Sequence, residues 1–557
     1  MLRAAPARPP QPAPVCMPRR RPPSRRARAA ALALLCAGAI GLAACGGGSA
    51  HHGAASVRRE APLISLFTFG GGGQLQDDPA GTLDRLRALG VSMVKLYMRW
   101  SAVAPDPLAA RAPAGFDATD PGAYPAAGWA VYDAVVRAAR ARGIAIDLTV
   151  GGPAPLWAST PGAPGGPPGV WKPLGRDYGA FLRAVGRRYG GAYRPTGAGS
   201  PLPRVSFWAL WNEPNYGVYL APQAVDHSTV EVAPAVYRSL VDAGWSALHA
   251  SGHGGDTILI GELAPRGLTF GNNPGNFSGM VPLRFVRALY CVDASLRPLR
   301  GGAATVRGCP ATAAGSAAFA RSHPGLFHAS GFAVHPYPQG NVPPTQRTAF
   351  EPDYADFASL PRLESTLDTI QSRYGSATRF PIYSTEYGYQ TDPPEHIAHA
   401  APVQMVAIYL NQAEYLSWRD PRIRSYDQYL LEDPPGANAL GGFATGLLYA
   451  DGRPKPSLDA YRLPIWLPHA QGSGGRPLEV WGCVRPAAFL PRPQPVLIEY
   501  SAGARGPWRV LRRVEVSDPH GYFDVQVRFP AGGFVRLSWR STSGHTFFSR
   551  LATVTIR

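Results

Sequence analysis

Short apolar runs alternate with amphipathic stretches between residue 63 and about residue 467. One amphipathic stretch, residues 178–189, places its apolar side chains at offsets of three and four, and Gly190-Gly191 follow it, which predicts a helix that ends there. Eight of the apolar runs have the length and composition of buried strands. They are residues 63–69, 91–99, 144–150, 205–213, 257–262, 331–337, 380–386 and 423–430.

Eight strand–helix units in succession favour a closed parallel barrel over an open sheet. The predicted fold class is therefore α/β, a (β/α)8 TIM barrel over residues 61–468. After Pro468 the pattern changes to a short linker at 471–475 and then to strand-like runs separated by turns. About 80 residues of this kind predict a small immunoglobulin-like β-sandwich over 476–557. Packing against the barrel and glycan binding both remain open as its role.

The first 60 residues have the character of an export and anchoring segment. Eight arginines lie in the first 28 residues, an apolar run covers 29–44, and Leu42-Ala43-Ala44-Cys45 precede a Gly/Ser/Ala/His stretch. This resembles a bacterial lipoprotein signal, which implies a signal peptide over 1–44, lipidation of Cys45 and a flexible tether over 45–60. The expected location is the cell membrane, by a lipid anchor, on its extracellular or periplasmic face. The alternative is ordinary cleavage, with Cys45 removed or unused.

The net charge of +18 does not alter the predicted fold. The arginines of the first 28 residues account for much of it, and no basic run follows them, so nucleic acid is not an expected partner. A monomer is expected.

Export brings the remaining cysteines into an oxidising compartment. Cys291 and Cys309 are close in sequence, so we predict a disulfide between them that closes one long loop. Cys483 lies in an apolar run and is predicted to be a buried free thiol. No cysteine or histidine spacing is typical of a zinc site.

Polar residues follow the apolar runs at the strand ends, where barrel enzymes carry their chemistry. Strand alternation predicts Lys95, Tyr97 and Arg99 on the inward face of the second strand. The fourth, sixth and seventh runs lead into polar clusters that packing does not require. These are Trp211-Asn212-Glu213-Pro214, His335-Pro336-Tyr337 and Thr385-Glu386-Tyr387.

These clusters resemble the retaining glycoside hydrolases of clan A, and families five and thirty-nine most. The resemblance implies that Glu213 is the acid/base and Glu386 the nucleophile, and that Asn212 binds the hydroxyl beside the reacting carbon. It also implies that His335 and Tyr337 support the nucleophile. Lys95 stands where many members have arginine, and the usual strand-eight tryptophan is absent.

Cleavage of a glycosidic bond requires two carboxyl groups with different roles, and this sequence offers two at strand ends. One must be protonated to give its proton to the departing oxygen, and the other must be ionised to attack the sugar, so their surroundings must separate their pKa values. No cofactor and no metal are expected. Further candidates for saccharide binding are Lys95, Arg99 and aromatic side chains near strand ends, namely Trp100, Trp157, Trp171, Trp211, Tyr216 and Tyr389.

Other interpretations stay open beside a retaining glycosidase of a β-linked oligo- or polysaccharide. Glu262 and Asp147 also end strands and are rival carboxylates, although neither lies in a motif. A non-catalytic glycan-binding lipoprotein would keep the barrel as a scaffold. A transglycosylase would use the same two glutamates and pass the sugar to another sugar. No Gly-x-Ser-x-Gly motif supports a serine hydrolase.

Overall fold

The structure is a computed structural model that describes residues 74–225, 228–268, 275–347 and 351–557, together with the backbone of 64–69. The predicted signal peptide, the tether and the lipidation site Cys45 lie outside the described residues.

Eight parallel strands form a closed barrel, as predicted, and β1 completes it by pairing with both β2 and β10. The strands of this region are β1 (Ile64–Phe69), β2 (Met93–Arg99), β3 (Ala145–Gly151), β4 (Phe207–Leu210), β5 (Thr257–Leu263), β6 (Gly331–Val334), β7 (Ile382–Ser384), β8 (Thr391–Asp392), β9 (Ala401–Pro402) and β10 (Ile423–Tyr429). The strands β8 and β9 pair only with each other, outside the barrel.

Helices follow the barrel strands. They are α1 (Gln74–Asp77), α2 (Pro79–Ala88), α3 (Trp100–Val103), α4 (Ala126–Arg142), α5 (Gly175–Arg188), α6 (Ala233–Ala250), α7 (Pro282–Leu289), α8 (Gly301–Thr305), α9 (Ala313–Ser322), α10 (Pro324–His328), α11 (Leu360–Arg373), α12 (Val403–Arg419) and α13 (Pro456–Arg462). Asp78 caps α2, since its side chain accepts from Gly81 N at 2.9 Å. Among the described helices, none has the length and apolar character needed to cross a membrane.

The two faces of β2 have different surroundings, as its alternation predicts. Val94, Leu96 and Met98 belong to the large apolar core between strands and helices. Lys95 points the other way, is 1% exposed, and lies in register with Asp147 of β3 inside the barrel. A small apolar cluster that includes Met93 closes the barrel interior. The described part of the barrel interior therefore holds buried polar side chains as well as an apolar cluster.

The strands β4 and β6 end three residues earlier than predicted, and the backbone gives the reason. The strand β4 ends at Leu210 because Trp211 and Glu213 adopt left-handed φ angles of +71° and +40°. The strand β6 ends at Val334, two residues before Pro336, and Tyr337 N then donates to His335 O at 2.8 Å in a tight turn. The polar clusters consequently lie just past the strand ends.

Two further sheets follow the barrel and share a second apolar core. Residues 471–475 are only in part the predicted linker, because Gln471–Gly472 form a strand that pairs with Ala552–Ile556. The strands are β11 (Ile465–Trp466), β12 (Gln471–Gly472), β13 (Leu478–Cys483), β14 (Gln494–Ser501), β15 (Arg509–Val516), β16 (Tyr522–Val527), β17 (Gly533–Arg540), β18 (Thr546–Phe548) and β19 (Ala552–Ile556).

A buried ion pair joins the barrel helix α12 to the segment after β13. Arg485 Nη2 donates to both carboxylate oxygens of Glu414 at 2.6 Å, and Tyr522 Oη donates to the same carboxylate at 2.8 Å. Both members of the pair are at most 2% exposed. The cysteine predictions are confirmed, with a Cys291–Cys309 disulfide and a buried free thiol at Cys483.

Candidate active site

Glu213 and Glu386 meet at the carboxyl end of the barrel. An oxygen of each carboxylate and a ring nitrogen of His335 all lie within 4.8 Å of one another. The two side chains are similarly placed toward the surface, 13% and 14% exposed. Small molecules can therefore reach both carboxylates, while most of each side chain is shielded from bulk water.

His335 lies between the two glutamates. Its Nδ1 is 2.9 Å from Glu213 Oε1 and 3.4 Å from Glu386 Oε2, and the ring is fully buried. Burial lowers the pKa of His335, but the carboxylates of Glu386, Glu213 and Glu262 outweigh it and raise that pKa to about 9. The raised pKa favours the imidazolium form of His335, in which Nδ1 donates to Glu213 Oε1, and the Lys95 ammonium, 3.1 Å from Nε2, opposes it.

Two further groups hold Glu386. Lys95 Nζ donates to Glu386 Oε1 at 3.2 Å, and Tyr337 Oη donates to Glu386 Oε2 at 3.2 Å. Burial lowers the pKa of Lys95, but Glu262, Glu386 and Asp147 outweigh this and raise it above its ordinary value. A cation and a phenol therefore contact one oxygen each of this carboxylate.

The surroundings of Glu213 favour the protonated form of its carboxyl group. Burial raises the pKa of the Glu213 carboxyl, and the nearby charge of Glu386 raises it further, against a lowering contribution from His335. The two glutamates therefore differ electrostatically although they are neighbours, because the ammonium of Lys95 directly contacts Glu386. An acid and a carboxylate side by side are what general acid catalysis with a nucleophile requires.

A third carboxylate, Glu262, lies beneath the pair and is fully buried. Its Oε2 accepts from Lys95 Nζ and from His335 Nε2, the latter at 2.9 Å, and its Oε1 accepts from Thr385 Oγ1 at 3.0 Å. Burial raises the pKa of Glu262, but Lys95 and His335 outweigh it and lower that pKa. The sequence identified this residue only as a rival carboxylate.

The remaining predicted polar residues are distributed unevenly. Asn212 directly precedes Glu213 and is 6% exposed. Arg99 ends β2 at the rim with an exposed side chain, and in the described part of the chain it forms no ion pair with either glutamate. Asn215, for which the sequence made no prediction, binds the backbone, since its Nδ2 donates to Ala264 O and Met280 O at 3.0 and 2.9 Å.

The prediction that Trp211 binds substrate is wrong. Its ring is fully buried, its Nε1 donates to Tyr219 O at 3.2 Å, and Tyr178 packs edge-on against it at 5.4 Å. Gly152 is packed so closely that a β-carbon there would lie 2.6 Å from the ring. The left-handed backbone at Trp211 turns this indole into the core, where it can stack on no sugar.

The other aromatic residues that were predicted to bind saccharide differ in how deeply they are buried. Trp100 is 0% and Tyr389 is 3% exposed, so neither offers a ring face to a ligand. Trp157 is partly buried, packs edge-on against Trp100 at 6.1 Å and donates from Nε1 to Pro105 O at 3.0 Å. Trp171 and Tyr216 keep partly exposed rings.

A cavity of about 290 Å³ lies beside the site, next to Tyr337. Phe443 forms part of its wall, is 40% exposed, and packs edge-on against Tyr337 at 5.4 Å and Tyr429 at 5.5 Å. No property of the sequence around Phe443 marked it, because it lies in the long loop after β10. The cavity is lined by Arg266, Tyr337, Pro338, Gln339, Gly340, Gly388, Tyr389, Gln390, His399, Phe443 and Thr445.

Glu213, His335 and Glu386 present donor atoms close enough to hold a metal ion. The donor set is nevertheless poorly suited to one, because the raised pKa of His335 favours its protonated form and the Lys95 ammonium is 3.2 Å from Glu386. Lys95 already supplies a positive charge to Glu386, at its Oε1.

No protein-family model matches the chain, and no curated protein matches its sequence. Its structural neighbours are glycoside hydrolases. A family 39 glycoside hydrolase from Bacteroides cellulosilyticus WH2 is 15% identical, with 84% of this chain and 80% of that chain covered and a TM-score of 0.43. A glucosidase from Croceicoccus marinus is 12% identical, with 88% and 97% covered and a TM-score of 0.45. A family 1 β-glucosidase from Thermotoga maritima is 12% identical, with 67% and 81% covered and a TM-score of 0.39.

Proposed function

We propose that this protein is a glycoside hydrolase that cleaves a β-linked saccharide with retention of configuration, with Glu213 as acid/base and Glu386 as nucleophile. The observation that carries the proposal is the approach of the two carboxylates to within 4.8 Å, oxygen to oxygen. Retaining enzymes have their carboxyl groups about 5–5.5 Å apart, whereas inverting enzymes need about 6.5–9.5 Å to admit a water molecule.

In the first step Glu386 attacks the anomeric carbon and forms a glycosyl ester. The bond to the departing oxygen breaks at the same time, and Glu213 gives its proton to that oxygen. In the second step Glu213, now a carboxylate, takes a proton from water, and the resulting hydroxide cleaves the ester and releases Glu386. The raised pKa of Glu213 and the Lys95 and Tyr337 contacts to Glu386 suit these roles.

The positions of further residues suggest which parts of the substrate they bind. Asn212, beside Glu213, is proposed to bind the hydroxyl next to the anomeric carbon, a contact that strengthens in the transition state. Arg99, Trp157 and Tyr216 are proposed to line the approach to the glutamates. The cavity beside Tyr337 is proposed to accept part of the saccharide against the exposed face of Phe443.

Hydrolysis of a panel of aryl glycosides by the parent protein, Glu213→Gln and Glu386→Gln tests this assignment. We expect both variants to lose at least about 10³-fold in kcat, because each amide removes a group that acts on the reacting bonds. Binding of the product sugar should survive in both. Parent-like turnover in either variant would contradict the assignment, and binding without turnover by the parent would indicate a glycan-binding protein.

Sugar acceptors distinguish hydrolysis from transfer. With an aryl glycoside as donor, we expect free sugar as the main product even when an unlabelled sugar is present in excess. A predominance of disaccharide under those conditions would assign the protein as a transglycosylase that uses the same glutamates.

We also propose export, with the mature protein anchored through a lipidated Cys45 and the C-terminal sheets packed on the barrel as an immunoglobulin-like sandwich. The Cys291–Cys309 disulfide supports an oxidising compartment. Cys45→Ala should move the protein from the membrane fraction to the soluble fraction without loss of specific activity. An unchanged membrane fraction would contradict anchoring at this cysteine.

A further inference from the structure

The carboxylate of Glu262 has no part in the proposed bond-breaking steps, yet it is the most connected group below the site. Its three side-chain partners come from different strands or strand ends around the barrel. Two are the cations that contact the proposed catalytic glutamates, Lys95 and His335, and a third is Thr385, which directly precedes Glu386. The backbone of Glu262 makes a separate contact, since Glu213 N donates to the carbonyl oxygen of Glu262 at 2.9 Å.

The backbone at this point is shaped to turn Glu262 inward. The pairing of β5 with β6 shifts register between Ile260 and Leu263, and both residues between them are left-handed, Gly261 at φ +105° and Glu262 at φ +48°. Gly261 has no room for a side chain, because a β-carbon would lie 2.5 Å from Ala333 O. Such bulges change the direction of a side chain and occur beside active sites. A left-handed glutamate costs free energy, and the surrounding contacts must offset it.

We propose that Glu262 is a positioning residue whose buried negative charge keeps Lys95 and His335 in place as cations, so that one contacts Glu386 and the other contacts both glutamates. The effect of Glu262 on catalysis rests on the proposed function. The contacts of Glu262 to Lys95 and His335 are observed in the structure and do not depend on that function.

Charge balance explains why a third carboxylate is needed. Two buried cations beside a single ionised nucleophile would leave one positive charge without a partner in a region of low dielectric constant, which is costly. Glu262 supplies the second negative charge, at a depth that no substrate reaches. Without it, His335 would lose one of the carboxylates that favour its protonated form. The titratable groups that face His335 are Lys95 of β2, Asp147 of β3, Glu213 after β4, Glu262 of β5 and Glu386 after β7.

The chain offers a matched control for substitution of Glu262. Asp147 is also a fully buried carboxyl in the barrel interior, but neither of its oxygens has a hydrogen-bond partner in the described part of the chain. Burial and the charge of Glu262 raise the pKa of Asp147 to about 8, so it is uncharged at neutral pH. Glu262→Gln therefore removes a charge, while Asp147→Asn replaces a neutral acid by a neutral amide.

The direct test is the titration of His335, followed by ¹⁵N NMR of the ring in the full chain and assigned with His335→Gln. In the parent we expect a midpoint near pH 9. Asp147 is ionised at that pH, but its oxygens make no hydrogen bond to His335, so Asp147→Asn should lower the midpoint less than Glu262→Gln. In Glu262→Gln it should fall by at least about one pH unit, because a close opposite charge shifts a pKa by about 1–3. An unchanged midpoint in a folded Glu262→Gln would overturn the proposal. This readout needs no substrate, so it stands even if the parent cleaves no glycoside.

Kinetics test the catalytic consequence. Glu262→Gln should lower kcat about 10²-fold with little change in KM, since preorganised charges act on the transition state and Glu262 contacts no substrate. Asp147→Asn should retain kcat within a few-fold. If Glu262→Gln does not fold, Glu262→Asp keeps the charge and should keep the His335 midpoint near its parent value, and a large fall there would overturn the proposal.

Discussion

Glu213 and Glu262 are tied through their backbones, since the amide of Glu213 donates to the carbonyl oxygen of Glu262 at 2.9 Å and both residues have left-handed φ angles. The ends of β4 and β5 are thereby held together at the point where one contributes the proposed acid and the other the buried carboxylate. Positive φ at a non-glycine residue is uncommon and concentrates at functional sites. This link places Glu213 on well-packed backbone rather than on a free loop.

The dependence of kcat/KM on pH should reflect the raised pKa of Glu213. Because the acid must be protonated to assist the departing oxygen, a raised pKa extends activity to higher pH, and kcat/KM falls only as Glu213 loses its proton. We expect this alkaline limb with a poor leaving group such as a methyl glycoside. With a dinitrophenyl glycoside, which departs without a proton, glycosyl-enzyme formation in Glu213→Gln should continue and show no such limb. A persistent limb in that variant would argue against Glu213 as the acid.

Tyr337→Phe should lower kcat roughly 10- to 100-fold, because the phenol donates to Glu386 Oε2 at 3.2 Å and a hydrogen bond to a charged group contributes about 1.5–3 kcal/mol. The ring also packs against Phe443, and phenylalanine preserves that contact. Thermal unfolding should stay near that of the parent. A variant with parent-like kcat would show that this contact does not support the nucleophile.

Trp211→Ala should destabilise the fold by about 3–5 kcal/mol, the usual cost of deleting a large buried aromatic side chain. Denaturant unfolding measures the loss. Trp157→Ala makes a useful comparison, since that ring is only partly buried and should cost less. If Trp211→Ala instead left stability intact and raised KM alone, the ring would be a substrate contact after all.

Removal of divalent metal by a chelator should leave the activity unchanged. Lys95 already neutralises Glu386, and a protonated His335 has no lone pair to offer a metal. Activity measured before and after extensive dialysis against EDTA is the check. A loss that Zn²⁺ or Mn²⁺ restores would require a different protonation state at His335.

Arg485→Met should destabilise the protein by about 3–5 kcal/mol, because it leaves the buried Glu414 carboxylate without its bidentate partner. The exposed pair Arg513–Glu515, 2.7 Å apart, provides the control, and Arg513→Ala should cost no more than about 1 kcal/mol. Similar unfolding midpoints for the two variants would mean that the buried pair does not link helix α12 to the C-terminal sheets.

Much of the fold was predictable because the spacing of apolar residues along the chain indicates which side chains are buried. The eight barrel strands and the disulfide followed from local patterns or spacing. The direction of Trp211 was not predictable, because a single left-handed residue reversed the side that strand alternation assigns to it. Glu262 was identified only as a strand-end carboxylate, since its importance depends on partners from strands distant in sequence.

The configuration of the first-formed product tests the central claim most directly. Proton NMR of an aryl β-glycoside digest, recorded before the sugar equilibrates in water, distinguishes the two anomers. Attack by Glu386 followed by water predicts that the β anomer appears first. If the α anomer appears first, water attacks the sugar directly, and Glu386 is not the nucleophile.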